Sequence, residues 1–222
     1  MDLFTTAAGI DFLARYGHVL AGIAWIGLLY YFNFVQTEYF KEADGGARTD
    51  AFVKLVPRAL WWFRWAAMLT FLTGLVLLAG RGVGLSYDIG VGSLLATIMF
   101  LNVWLIIWPN QRILIESNKQ VQGGGEALPE AAAAAPKAAL ASRTNTLFSI
   151  PMLFFMISSA HLIQGGPLTD ASPLSLVLVL IIILALEANA IFGKPGPIAS
   201  IKGVISCGFG LLVVLWALVA FI

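Results

Sequence analysis

Two histidines, His18 and His161, are the only ones in a chain of 222 residues, and each lies inside a long apolar stretch. An imidazole in hydrocarbon costs free energy unless it has a partner, and a metal or a haem iron is a common partner for two such residues in a membrane. Axial ligation of haem needs one lone-pair nitrogen from each side of the porphyrin, supplied by facing helices. It also needs a helix surface cut back enough for the flat macrocycle to approach. Gly22 lies four residues after His18 on the same helical face, Gly17 is beside it, and Ser158 precedes His161 by three. Arg15, one turn from His18, and Arg81, at the end of the second apolar run, are the cations placed to meet propionates. The candidate haem b site is therefore His18 and His161 as iron ligands, with Gly22, Arg15 and Arg81 around them. The competing reading is that each histidine hydrogen-bonds a serine or a carbonyl across helices.

The elements that position these residues are set by hydropathy. Hydrophobic residues make up 59% of the chain and charged ones 11%, more apolar side chain than a soluble core of this size hides. An all-α integral membrane protein is expected, a single domain over residues 1–222. Six runs approach the roughly 20 apolar residues that a helical span requires: Phe12 to Val35, Ala59 to Ala79, Ile89 to Trp108, Thr146 to Ile163, Leu174 to Phe192 and Val204 to Phe221. The first is too long and too acidic at its start (Asp2, Asp11) for a cleavable signal. A net charge of +1 gives no reason to expect nucleic acid, and the single cysteine, Cys207, excludes an intrachain disulfide or a cysteine-based metal site.

Threading six spans alternately gathers Lys41, Arg48, Lys54, Arg58, Arg112, Lys119, Lys137, Arg143, Lys194 and Lys202 on one side and leaves Arg15 and Arg81 on the other. The positive-inside rule then puts both termini outside and both histidines in the outer leaflet of a bacterial inner membrane. Between the third and fourth spans, roughly 109–143, an amphipathic continuation from Pro109 to Val121 is followed by Gly123, Gly124, Gly125 and an alanine-rich stretch with Pro129 and Pro136 that reads as a tether. Arg64 and Glu187 read as a structural ion pair, and Asn33, Asn102, Asn110 and Asn189 as helix cross-links. Trp61, Trp62, Trp65, Trp104 and Trp108 read as an interfacial belt, and Met152 and Met156 as packing.

Three stretches carry a resemblance. The run His18-Val-Leu-Ala-Gly-Ile-Ala-Trp-Ile-Gly27 with Tyr30 and Tyr31, then Trp108-Pro-Asn-Gln-Arg112, then Arg143-Thr-Asn-Thr-Leu-Phe-Ser-Ile-Pro-Met-Leu-Phe-Phe-Met156 with Ser159 and His161, resemble in order the membrane domain of bacterial urate hydroxylases. More distantly, the first run is similar to His-containing helices of the membrane protoporphyrinogen oxidase and copper-resistance families. The resemblance implies oxidation chemistry, often with a fused cytochrome c domain. No Cys-x-x-Cys-His occurs here, so no c-type haem is expected within this chain. The function expected is a membrane oxidoreductase that binds haem b and passes electrons between the membrane and a periplasmic cytochrome c. The alternative is a cofactor-free accessory subunit of a larger respiratory or photosynthetic complex. A small-solute carrier would call for broken helices in repeated positions, which the sequence does not offer.

Overall fold

The computed structural model describes residues 2–82 and 84–222. It is all-α: α1 is Ala7–Glu42, α2 Gly45–Lys54, α3 Val56–Arg81, α4 Tyr87–Gln122, α5 Ala131–His161, α6 Pro173–Phe192 and α7 Ile201–Phe221. All but the short α2 are long and apolar enough to cross a bilayer. Hydroxyl caps set three of the starts: Thr6, Ser86 and Ser200 accept from the amides of Gly9, Ile89 and Gly203. The alternating spans define a histidine end, where α1 begins and α5 finishes, and an opposite loop end.

The third and fourth apolar runs belong to much longer helices than hydropathy marks. Residues 131–143, expected as part of a tether, are the first turns of α5. Alanine has the highest helix propensity, and Ala134, Ala138 and Ala141 bury their methyls where α5 packs on the amphipathic end of α4. The true connection is the short stretch 123–130, turned by Gly124 at φ +86° and closed where Leu128 N donates to Ser117 Oγ at 3.0 Å. The loop end also carries α2, whose Phe52 stacks on Phe40 of α1 at 4.7 Å.

The central helix is α5, which packs against α1, α4, α6 and α7. Its most apolar window is 67% buried although its mean hydropathy is only 1.2, whereas the 2.6 window of α6 is 22% buried. Polar α5 side chains are held inside by partners on other helices. Asn145 donates to Met99 O at 2.9 Å and accepts from Asn102 Nδ2 at 3.0 Å, and Asn102 also donates to Glu187 at 3.0 Å. Asn33 donates to Ser142 Oγ at 2.8 Å. Both of these asparagines sit in π-helical turns, Tyr31–Gln36 in α1 and Asn102–Ile107 in α4, that interrupt the regular ladder facing α5.

Glycines let α5 be approached closely. A Cβ on Gly208 would meet the side chain of Ile150 and come within 3.3 Å of Leu147 O, the acceptor that Pro151 cannot use.

Two expectations are corrected. Arg64 and Glu187 do not pair: Glu187 takes a hydrogen bond from Asn102, while the Arg64 guanidinium lies 3.4 Å from the ring centroid of Trp108. Only two of the four asparagines link helices, since Asn110 donates to Ile106 O in its own helix and Asn189 to Lys194 O just beyond its own. Local carbonyls were in reach, so no second helix was required. Accordingly, Asn145→Ala is expected to destabilise the bundle by about 1–2 kcal/mol and Asn110→Ala by clearly less, in denaturant unfolding in micelles. Equal losses would show that the cross-helix network contributes nothing special.

Candidate functional site

The five sequence-predicted site residues converge. His18, Gly22 and Arg15 from α1, Arg81 from α3 and His161 from α5 all line one cleft of about 670 Å³ at the histidine end. That volume lies in the range of small-molecule and cofactor sites, about 300–1,000 Å³. The rest of the wall is mainly apolar, with Met152 and Met156 among the residues contributed by α5. A Cβ on Gly22 would meet nothing within 4 Å, so this glycine leaves open space beside His18. Gly17 plays a different part: it packs near Thr73 of α3 rather than lining the cleft.

His18 is oriented by α3. Its Nδ1 lies 3.2 Å from Thr73 Oγ1. The Thr73 hydroxyl has a single proton, which is spent on carbonyls of its own helix, Leu69 O at 2.6 Å and Thr70 O at 3.1 Å. With that proton on a carbonyl, Thr73 accepts from His18 Nδ1, the tautomer that leaves the Nε2 lone pair free. Gly74 makes the approach possible, since a Cβ there would press on the imidazole at 3.2 Å. An imidazole anchored through one nitrogen with the other free is the arrangement in which histidine ligates metals.

His161 is positioned by a carboxylate that the sequence reading passed over. Asp88, fully buried in the first turn of α4, accepts from Ser158 Oγ at 2.6 Å, from Gln164 N at 3.1 Å and from Gly165 N at 3.0 Å. These donors flank His161, so one side chain ties the last turn of α5 to the chain that leaves it. Ser158, expected as part of a cut-back surface, serves this clamp instead, and Ser159 lines the cleft. Gly165 is required sterically, because a Cβ would come within 2.6 Å of Val219 and 3.0 Å of Tyr87. His161 is exposed toward the cleft and makes no side-chain hydrogen bond among the described residues. The faint signal for Asp88 was its place two residues after a serine cap, which reads as helix-start chemistry rather than as a site.

The two arginines differ. Arg15 is held by Asp11 at 2.9 Å along α1, while Arg81 has no ion-pair partner among the described residues. Arg81 is thus the cation free to meet an acidic group in the cleft. Trp25, almost wholly buried in the cleft wall, also keeps an indole N–H without an acceptor.

A bundle of six long apolar helices, the most polar of them central, with a histidine-bearing cleft at one end, defines a multi-pass membrane protein. Residues 84–195, just over half the chain, match the family model described as urate oxidase N-terminal, and the chain belongs to that family. The matched region includes Asp88 and His161 and takes in Trp108 to Arg112 and Arg143 to Met156; His18 precedes it. No curated protein and no solved structure matches the chain.

If Asp88 fixes the end of α5, Asp88→Asn should turn one acceptor into a donor facing N–H groups. Hydrogen exchange at Gln164 and Gly165 is then expected to speed up by about tenfold or more, with amides in the middle of α5 unchanged. Unaltered protection at both residues would remove the clamp.

Proposed function

We propose that the chain is a membrane oxidoreductase component that binds haem b between His18 and His161 and passes electrons between the membrane and a periplasmic cytochrome c, in chemistry related to urate hydroxylation. The observation that carries the reading is that His18, its Nδ1 3.2 Å from Thr73 Oγ1, lines the same cleft as His161, which has no side-chain hydrogen bond among the described residues. Bound there, haem would supply a one-electron carrier. The protein's share of the work is to present two imidazoles from α1 and α5, to clear the approach at Gly22, and to offer Arg81 to an acidic substituent. The wall offered to it is mainly apolar, and burial in such a lining is one way proteins tune the potential of such a group. The urate link rests on the family's description.

The orientation belongs to the same proposal. With the lysine-rich loop end in the cytoplasm, the cleft faces the periplasm of a bacterial inner membrane, where a soluble cytochrome could dock. The second reading, a cofactor-free subunit of a larger complex, takes the His18–Thr73 bond as purely structural.

An optical spectrum separates the two readings. Purified after haem-replete expression, the wild type should show a Soret band that disappears or changes in His18→Ala and in His161→Ala. Thr73→Val should retain the haem with a shifted midpoint potential, because it removes the acceptor that sets the tautomer of His18. A wild type without a Soret band would transfer the assignment to the accessory subunit. Topology is checked separately: a reporter active only in the cytoplasm, fused after Ile222, should be silent, and strong activity would reverse the orientation.

A further inference from the structure

The loop end holds a second set of polar groups that the histidine cleft does not use. Arg64 lies in α3 and is only 9% exposed, yet its Nε and Nη1 have no hydrogen-bond partner. No carboxylate lies within ion-pair distance of it among the described residues. Its guanidinium is 3.4 Å from the ring centroid of Trp108 and 5.8 Å from that of Trp104, whose indole N–H is itself buried and unpartnered. A second cation, the exposed Arg112, reaches the same Trp108 ring at 6.0 Å.

An uncompensated guanidinium inside a membrane protein is costly, and a like charge beside it adds to the cost. Stacking on Trp108 recovers part of this through the cation–π interaction, but an aromatic face accepts no charge-assisted hydrogen bonds. What the cluster lacks is an acceptor with negative charge. We propose that Arg64, Arg112 and Trp104, arranged around Trp108, form a binding site for an oxyanion of the phosphate or carboxylate type at the loop end of the bundle. The planar, multi-donor guanidinium suits such a group. The source is either the phosphate of a lipid headgroup or a small soluble anion, since a bundle end near the interface meets both. The Trp108-Pro-Asn-Gln-Arg112 stretch thereby acquires a role: its tryptophan is the platform and its arginine the second cation. The site does not depend on any cofactor in the histidine cleft.

The test uses the full chain in phosphatidylcholine nanodiscs. In one arm phosphatidylglycerol is titrated in and retained lipid is read by native mass spectrometry. In the other, inorganic phosphate and acetate are titrated and binding is read by calorimetry. Wild type should bind saturably in one arm. Arg112→Gln and the double variant Arg64→Gln/Arg112→Gln should weaken that binding, the double by about tenfold or more. Trp104→Phe should weaken it without any change of charge, and Arg48→Gln, an exposed cation elsewhere at the same end, should leave it intact. Lipid retention assigns the site to a headgroup, and phosphate or acetate binding assigns it to a soluble oxyanion. No saturable binding in either arm overturns the proposal. So does binding that Arg112→Gln and Trp104→Phe leave unchanged, or that Arg48→Gln reduces equally. Arg112 is a surface residue, so its variant is informative even where substitution of Arg64 perturbs folding.

Discussion

The structure depends on one constraint: the most polar span, α5, exists in a membrane only because other helices surround it. In hydrocarbon each unpaired polar group is expensive; Arg143 Nη1 and Thr144 Oγ1 stay without a partner, but for its asparagines and several of its serines α5 needs partners on other helices. It finds them in the asparagines of two π turns, in Tyr30, whose hydroxyl lies 2.9 Å from Ser149 Oγ, and in the carboxylate of Asp88. The apolar spans α6 and α7 carry few such groups, chiefly Ser175, Glu187 and Trp216, and expose wide faces to lipid. Hydrophobicity therefore decides which helices lie outside, and hydrogen bonding decides which one is central. Once α5 is fixed in this way, its final residue, His161, is fixed with it.

The same constraint explains why the histidine cleft lies at an end of the bundle. Midway along α5 the neighbouring helices close tightly, helped by Gly208, where a Cβ would come within 3.3 Å of Leu147 O. Toward the histidine end α1 pairs with α3, while α5 stays with α4. The space between the two pairs is the cleft, and each pair contributes one histidine. A ligand there would join two halves that the polypeptide itself links only sparsely at that level.

Much of this was legible in the sequence. The six spans follow from hydropathy, because bilayer thickness imposes a length that composition reveals directly. That His18, Gly22, Arg15, Arg81 and His161 lie at one end of the bundle follows from alternating topology, which fixes depth, while their place around one cleft depends on how the helices pack. What stayed hidden depends on neighbours. The start of α5 was obscured because alanine with proline reads equally as a tether or as a helix, and only burial against α4 decides between them. The π turns leave no mark in a hydropathy profile. Thr73 and Asp88 were missed because their roles arise from contacts 55 and 70 residues distant in sequence.

The error over Arg64 and Glu187 shows how depth and direction differ as sequence signals. Both residues fall toward the loop end, and opposite charges at one depth in a membrane invite pairing. Depth follows from residue number along a span, but the direction in which a side chain points depends on the helix's rotation about its axis. The face of α4 that carries Asn102 meets Glu187, and the turn that carries Trp108 meets Arg64. These positions are six residues apart, about 600° of helical rotation at 3.6 residues per turn, and the intervening π turn shifts the register further. One helix thus separates the two charges, satisfying the carboxylate with an amide and leaving the guanidinium stacked on an indole with donors to spare. The loop end therefore carries a cation without an ion-pair partner among the described residues, while the histidine end carries two imidazoles and an arginine likewise without one. Both ends of the bundle present polar groups that the chain alone leaves unsatisfied, and in an apolar solvent that is the physical ground for proposing sites completed from outside.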